Sequence, residues 1–318
     1  MKKLLTLFIT AIIAVVIAAC GSNSASNSAE ETKSASTKEE EKLTIKHKLG
    51  ETEVQQKPEK VVVFDFGVLD SLDKLGVDVT GVPQDSIPSY LSKYEDAKYE
   101  NVGGLKELNF EKISEINPDL IIISGRQAEQ YEEFTKIAPT IYMGVDTTKY
   151  MESFEENTAT LGEIFGKETE VEKKVTAIEN TMQTVNEKAK ATGKNGLIVL
   201  INEGKVSAYG PGSRFGIIHD ELGVEAADPN IEVSTHGQSV SFEYIVEKNP
   251  DYLFVVDRSA VVGGESSAKK TLENDLIKNT KAYKEGNIVY LDPNYWYLSG
   301  GGLLSVAEMA NEIEKAVK

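Results

Sequence analysis

The sequence predicts an α/β protein of two Rossmann-like lobes, each built on a central, mostly parallel sheet, joined by one long α-helix. Three observations carry this expectation. Residues 109–126 (NFEKISEINPDLIIISGR) and 241–258 (SFEYIVEKNPDYLFVVDR) align at a constant offset of 132, with eight identities in eighteen positions. Each copy reads as a short helix, a proline turn and a continuously apolar run, the pattern of a parallel strand buried on both faces. Between the copies, Val171, Val175, Ile178, Met182, Val185 and Ala189 recur at steps of four and three, which gives one apolar stripe on a helix.

In chain order, residues 1–19 carry Lys2 and Lys3, an apolar run over 4–17 and then small residues, the pattern of a signal peptide. The one cysteine, Cys20, follows Ile17-Ala18-Ala19. This resembles the lipobox of bacterial lipoproteins, and it implies cleavage before Cys20 with lipid, such as palmitate, on its sulfur and new amino group. Removal of Lys2 and Lys3 leaves the mature chain more acidic, so the anchor is lipid with no basic patch beside it. Residues 20–42 are rich in Ser, Asn, Ala, Glu and Lys without apolar periodicity and read as a disordered tether, spanning roughly 25 Å root-mean-square.

The N-terminal lobe is expected over 43–150. A hairpin turns at Leu49-Gly50-Glu51, a strand covers 61–64, a helix over 68–75 is closed by Gly76, and a second strand covers 77–82. Val102-Gly103-Gly104-Leu105-Lys106 leads into the first repeat. There Asn109 is the N-cap, Glu111 meets the positive end of the helix dipole, and Pro118 pushes Asn117 out of the α region. The strand over 120–123 ends just before Arg126, at the edge where open α/β sheets bind ligands. The helical connector is assigned to 151–193, with a helix over 168–190 about 35 Å long.

The C-terminal lobe is expected over 194–318. It opens with a strand over 197–202, then GPGSRFG at 210–216 and a helix toward Leu222. No Lys-Ser or Lys-Thr pair follows the glycines, which argues against a nucleotide P-loop. The second repeat brings N-cap Ser241, first-turn Glu243, Pro250, a strand over 252–256 and Arg258. A strand over 288–291, the cluster Tyr295-Trp296-Tyr297 and an amphipathic helix over 303–317 complete the chain.

Composition narrows the function. With 34 basic against 51 acidic residues, nucleic acid is excluded as a partner. One cysteine and three scattered histidines rule out disulfide frameworks and thiolate or histidine zinc cages. No G-x-S-x-G and no H-E-x-x-H is present, so the reading is a binding protein and not an enzyme. Arginine is scarce, yet Arg126, Arg214 and Arg258 each follow a strand or a glycine turn. A guanidinium stays charged when desolvated and offers a planar fork to oxyanions, so three in one cleft suit an anion of charge about −3. Lys106 lies on the loop just before the first repeat and could join them, and Tyr295, Trp296 and Tyr297 could wall the cleft. His236 sits in the polar loop Ser234-Thr235-His236-Gly237-Gln238. An imidazole and a phenolate can together ligate Fe(III), which makes His236 and Tyr297 the candidate metal ligands. Glu111 and Glu243 suit their helix dipoles; as one carboxylate per lobe, they also suit docking onto arginines of a two-fold partner.

Together the lipobox, the tether, the two lobes, the single long helix and the paired F-E-x-I motifs resemble the siderophore and vitamin B12 substrate-binding proteins of ABC importers. The resemblance covers the whole chain. SGRQ at 124–127, GPGSRFG at 210–216 and VVDRS at 255–259 are similar to the catecholate branch, especially the ferric petrobactin-binding lipoproteins of Gram-positive bacteria. It implies a monomeric receptor on the outer face of the cell membrane, with no permanent cofactor, whose ligand is an Fe(III)-siderophore complex. Arg126, Arg214 and Arg258, with Lys106 beside them, would contact the ferric catecholate. His236 and Tyr297 fall where some relatives complete the iron shell, and Glu111 and Glu243 where the family engages the permease dimer with its ATPase. The same fold binding haem, a hydroxamate siderophore or a cobalamin is the alternative.

Overall fold

Short runs of β-branched and aliphatic residues set the two sheets. The computed structural model describes residues 42–318; the expected signal segment, Cys20 and the tether up to residue 41 lie outside the described residues. A hairpin, Lys42–His47 with Gly50–Gln55, packs on the first lobe, where the Thr52 hydroxyl donates to the Thr140 carbonyl at 2.8 Å. The first sheet has five strands, all parallel, in the order Glu100–Asn101, Gly81–Val82, Val61–Val63, Leu120–Ile123 and Thr140–Tyr142. The second has six. Its path runs Gln238–Val240, Lys205–Tyr209, Asn195–Asn202, Tyr252–Asp257, Ile288–Leu291, and Glu225–Ala226 pairs with Asn195–Asn202 off that path. The last three strands of the path are parallel and the first two antiparallel.

Two local expectations are corrected, and one is made more specific. The strand expected over 77–82 shrinks to Gly81–Val82 because the Val77 amide instead donates to Leu72 O at 2.9 Å, closing the preceding helix Phe66–Lys74. Asn117 and Asn249 do leave the right-handed helix before their prolines, but into the left-handed region, at φ 49° and 42°. Asparagine tolerates that conformation better than most residues and so ends a helix as glycine would. Asn109 caps its helix through Lys112 N at 3.0 Å, whereas the Ser241 hydroxyl makes no such cap.

The apolar stripe forms a 25-residue helix, Glu168–Thr192, with acidic residues in its first turn, Lys190 in its last and Gly193 left-handed at its end. Val171, Ile178, Met182, Val185 and Ala189 are buried along it. It packs between helix Tyr150–Phe165 and the C-terminal helix Ser305–Ala316. One continuous buried cluster runs from Val61 and Leu69 in the first lobe, through Ile178 and Met182 on this helix, to Leu200, Phe254 and Ile313. The outer faces of the two sheets bury separate clusters, around Phe134 and around Leu253. Both lobes therefore share their inner core.

That sharing is testable at Ile178, which is 4% exposed. Ile178→Ala is expected to lower stability by about 2–5 kcal/mol through lost burial and a cavity, with one urea transition for the whole described unit. Two resolved transitions would show that the lobes unfold independently.

Candidate functional site

Strand register brings the candidate arginines to one place. In the second lobe Asp257 pairs with Ile201, so Arg258 and Asn202 stand side by side just where both strands end. Arg258 Nη1 donates to Asn202 Oδ1 at 2.6 Å. In the first lobe Val63 pairs with Ile122, which brings Asp65 level with Ser124 and the Gly125-Arg126 turn. Gln127, fully buried, fixes that turn: its Nε2 donates to Leu105 O at 2.7 Å, tying it to the loop that carries Lys106. Arg214 projects from the 210–216 turn, whose Gly212 amide donates to Asp220 Oδ2 at 2.7 Å. Only a four-residue helix, Ile217–Asp220, follows.

All three side chains meet at Tyr297, on a short π-helical turn, Asn294–Ser299. Arg126 Nη2 donates to the Tyr297 carbonyl at 3.0 Å, and Arg214 Nη2 donates to the same oxygen from the other lobe. Arg258 Nε donates to the Tyr297 hydroxyl at 2.6 Å. The Arg214 guanidinium also stacks on the Tyr297 ring, 4.4 Å from its centroid. These are the only arginines in the chain. Among the described residues none of them has a carboxylate within 4.0 Å.

The cavity around them, about 1010 Å³, lies between the lobes. Among the described residues, Lys106, Arg126, Lys205, Arg214 and Arg258 line it against a single carboxylate, Asp65, in a chain of net charge −17. Burial first, and then the like charge of the neighbouring Arg126, pull the Arg214 pKa down. Burial alone would raise the Tyr297 phenol; the Arg258 hydrogen bond and the charges of Arg214, Arg258 and Arg126 outweigh it, and the net shift is downward. Burial pushes Asp65 up, opposed by the Val68 amide, Ser124 and Arg126.

The other candidates divide. Lys106 and His236 lie exposed at the cavity rim. Trp296 borders the cavity but does not project into it: it is 2% exposed, and its indole N–H donates to Glu312 Oε2 at 2.7 Å, as a buried indole requires a partner. Tyr295 packs on Tyr90 instead, their ring centroids 4.7 Å apart. Glu111 and Glu243 are exposed in the first turns of their helices, away from the cavity lining. The Glu243 carboxyl is held below the usual range by its own backbone N–H and by Ser241. Among the described residues no three His, Cys, Asp or Glu side chains cluster as a metal site; His236 is the cavity's imidazole, and Tyr297 shares the lining with Tyr142, Tyr150 and Tyr209. Asp65, Asn202 and Gln127 escaped the sequence reading, although Asp65 and Asn202 stand at the same strand ends that singled out Arg126 and Arg258.

Comparison with known proteins agrees with this architecture. The sequence pattern of the periplasmic binding protein family matches residues 61–295. The chain is 52% identical to the petrobactin-binding protein YclQ of Bacillus subtilis over the full length of both. It is 34% identical to the ferric-anguibactin-binding protein FatB of Vibrio anguillarum, across 86% of this chain and 87% of that one. The crystal structure of YclQ superposes with a TM-score of 0.86 at 54% identity, covering 87% of this chain and 99% of that chain. The catecholate-siderophore binding protein VctP of Vibrio cholerae superposes at 0.81 with 37% identity, covering 86% and 100%. A pattern matched across most of the chain, and relatives alike in both sequence and fold, establish that the chain belongs to the periplasmic binding protein family.

Proposed function

We propose that the protein is a lipid-anchored extracellular receptor that binds a ferric catecholate siderophore of the petrobactin type between its lobes. It delivers that complex, as a monomer, to an ABC permease dimer with its ATPase, catalyses no reaction and holds no permanent cofactor. The observation that carries this reading is the meeting of all three arginines in one cleft of an acidic chain. A ferric tris-catecholate centre has charge −3, and a bis-catecholate on a citrate backbone is likewise anionic. At about 4 Å and an effective permittivity of about 20, each guanidinium–oxyanion pair is attracted by roughly 4 kcal/mol before desolvation. An anion also relieves the repulsion between Arg126 and Arg214. A ferric trihydroxamate centre is neutral and would leave those charges unmatched, and haem makes no use of three guanidinium groups.

In this reading Arg126, Arg214 and Arg258 hold the catecholate oxygens, and Lys106 joins them from the rim. Tyr297, its phenol already biased toward deprotonation, and His236 would bind Fe(III) directly when the chelator leaves two positions open. The Ala-Ala-Cys context of Cys20 supports removal of residues 1–19, lipidation, and a tether over 20–42. Lobes over 43–150 and 194–318, joined through 151–193, would move little on binding, because they share a core. Glu111 and Glu243, one per lobe and both exposed, are assigned to permease docking.

Replacing Arg126, Arg214 or Arg258 with Ala should weaken ferric petrobactin binding by about 1.5–3 kcal/mol each, the range for hydrogen bonds to charged groups; three near-neutral titrations would sink the assignment. Tyr297→Phe keeps the carbonyl shared by Arg126 and Arg214. A six-donor ferric catecholate should therefore bind within about threefold of wild type, while a four-donor chelate should lose roughly tenfold or more, about 1.4 kcal/mol. Equal losses for the two would argue against direct ligation by the phenol. Combining Glu111→Ala with Glu243→Ala should abolish iron uptake by cells and leave ligand affinity unchanged; a drop in affinity would place these carboxylates elsewhere in the mechanism.

A further inference from the structure

Asp70 is a carboxylate with no exposed surface, on helix Phe66–Lys74 of the first lobe. No cation lies within 4.0 Å of it among the described residues. Its contacts all belong to other elements. Oδ1 accepts from Leu304 N at 3.0 Å and Oδ2 from Ser305 N at 3.0 Å, so this carboxylate caps the 12-residue C-terminal helix from across the lobe boundary. The Ser71 hydroxyl beside it accepts from Leu303 N at 3.0 Å. Tyr90 donates its hydroxyl to Asp70 Oδ2 at 3.1 Å, and the Tyr90 hydroxyl oxygen lies 2.6 Å from Ser299 Oγ. Ser299 lines the ligand cavity two residues beyond Tyr297.

The intervening chain, residues 292–305, is a strap with a carboxylate at each end. Glu312 accepts from Trp296 Nε1 and from the Asp292 amide, while Asp70 holds Leu304 and Ser305. Tyr297 sits between these two pins. Gly302 lies so close to Asp70 that a Cβ there would overlap the carboxylate, which keeps the strap pressed onto the first lobe. We propose that Asp70 is a positioning residue for the ligand site: by capping the C-terminal helix in trans and bonding Ser299 through Tyr90, it fixes the strap that presents Tyr297 to the three arginines.

The chemistry of a carboxylate gives this role a pH signature. An ionised Asp70 only accepts, so Tyr90 must give it its proton and Ser299 must donate to Tyr90; the direction of the whole chain is set. Protonated, Asp70 would have to donate, and its other two partners are N–H groups. The acceptors left are the hydroxyl oxygens of Tyr90 and Ser305, so the bond to Tyr90 must reverse or the new proton must turn to Ser305, and in either case the carboxyl loses the negative charge that held the strap's N–H groups. Burial raises the Asp70 pKa to about 6, opposed by the Leu304 amide, the hydroxyl and amide of Ser305, and Tyr90. The titratable groups facing it are Tyr90 from the 89–95 turn, Tyr295 from the strap and Tyr150 from helix Tyr150–Phe165. Burial raises all three phenols above their ordinary value, so they stay neutral from pH 5 to 8. Asp65, the N-cap of the Asp70 helix, interacts with Arg126, and Glu308 lies in the first turn of the C-terminal helix.

The inference rests on the ferric catecholate reading of the cleft, and its test separates the two. Ferric petrobactin affinity is measured for the full chain and for Asp70→Asn from pH 5 to 8. Because the ligand's own protonation is common to both proteins, it cancels in their affinity ratio. Wild type is expected to bind roughly tenfold tighter than the variant at pH 7.5, with the ratio closing toward one as pH falls through about 6. A ratio that stays constant across the range marks a merely structural residue and overturns the proposal, as does equal affinity at pH 7.5. Should Asp70→Asn fail to fold, Tyr90→Phe cuts the link to Ser299 alone and should weaken binding several-fold; unchanged affinity there also overturns it. If wild type binds no ferric catecholate, the ligand reading fails, and amide hydrogen exchange at Leu304 and Ser305 still tests the pin. That exchange, corrected for its intrinsic rate, is expected at least tenfold faster in Asp70→Asn, or in wild type as pH falls through about 6 if that variant does not fold, and unchanged exchange defeats the proposal.

Discussion

Arg126 and Arg214 approach one carbonyl oxygen from opposite lobes, and with no carboxylate within 4.0 Å of either among the described residues their charges repel. Holding such groups together requires a frame stiffer than the repulsion is strong. Each guanidinium is accordingly tied to a defined acceptor: Arg258 to Asn202 and the Tyr297 hydroxyl, the other two to the Tyr297 carbonyl. The cleft is thus preorganised for negative charge, and an incoming anion meets donors already aimed, with little ordering left to do.

The frame comes from packing. Inner faces of both sheets and the long helix Glu168–Thr192 bury one continuous apolar cluster, and interiors packed at crystal density transmit displacement instead of absorbing it. Residues 292–305 cross back from the second sheet to the first lobe and carry Tyr297 on the way. Thr147 adds another link between the lobes through its hydrogen bond to Gly212 O, at 3.2 Å. A hinge-like opening would have to break the shared core and the strap together, which favours small relative movements.

Charge is distributed to match. The chain as a whole is strongly acidic, and among the described residues its cavity lining is the inverse, five cations against one carboxylate. A basic cleft with low-dielectric walls focuses field lines, so an anion is drawn to the cavity while the remaining surface repels it. The downward shift of the Tyr297 phenol follows from the same field.

Much of this was legible in the residues, because it rests on local rules. The helix–proline–strand repeat, the apolar stripe from Val171 to Ala189 and the positions of Arg126 and Arg258 at strand ends depend on spacing of three to five residues, and spacing is written in the chain. Even so, local rules missed the left-handed turns at Asn117 and Asn249 and the loss of most of the 77–82 strand, where a helix end claimed the Val77 amide. What the sequence could not contain is the pairing of distant groups. That Arg126 and Arg214 share the carbonyl of a residue far along the chain, that Asn202 orients Arg258, that Trp296 turns away to Glu312, and that Asp70 caps a helix more than two hundred residues later all depend on register and on the path of the strap. These contacts form only after both sheets have folded and packed on the long helix. Sequence alone determined the elements and their chemistry; the tertiary structure decided which side chains meet, because hydrogen bonds and charges act across a few ångströms of space, whatever the distance along the chain.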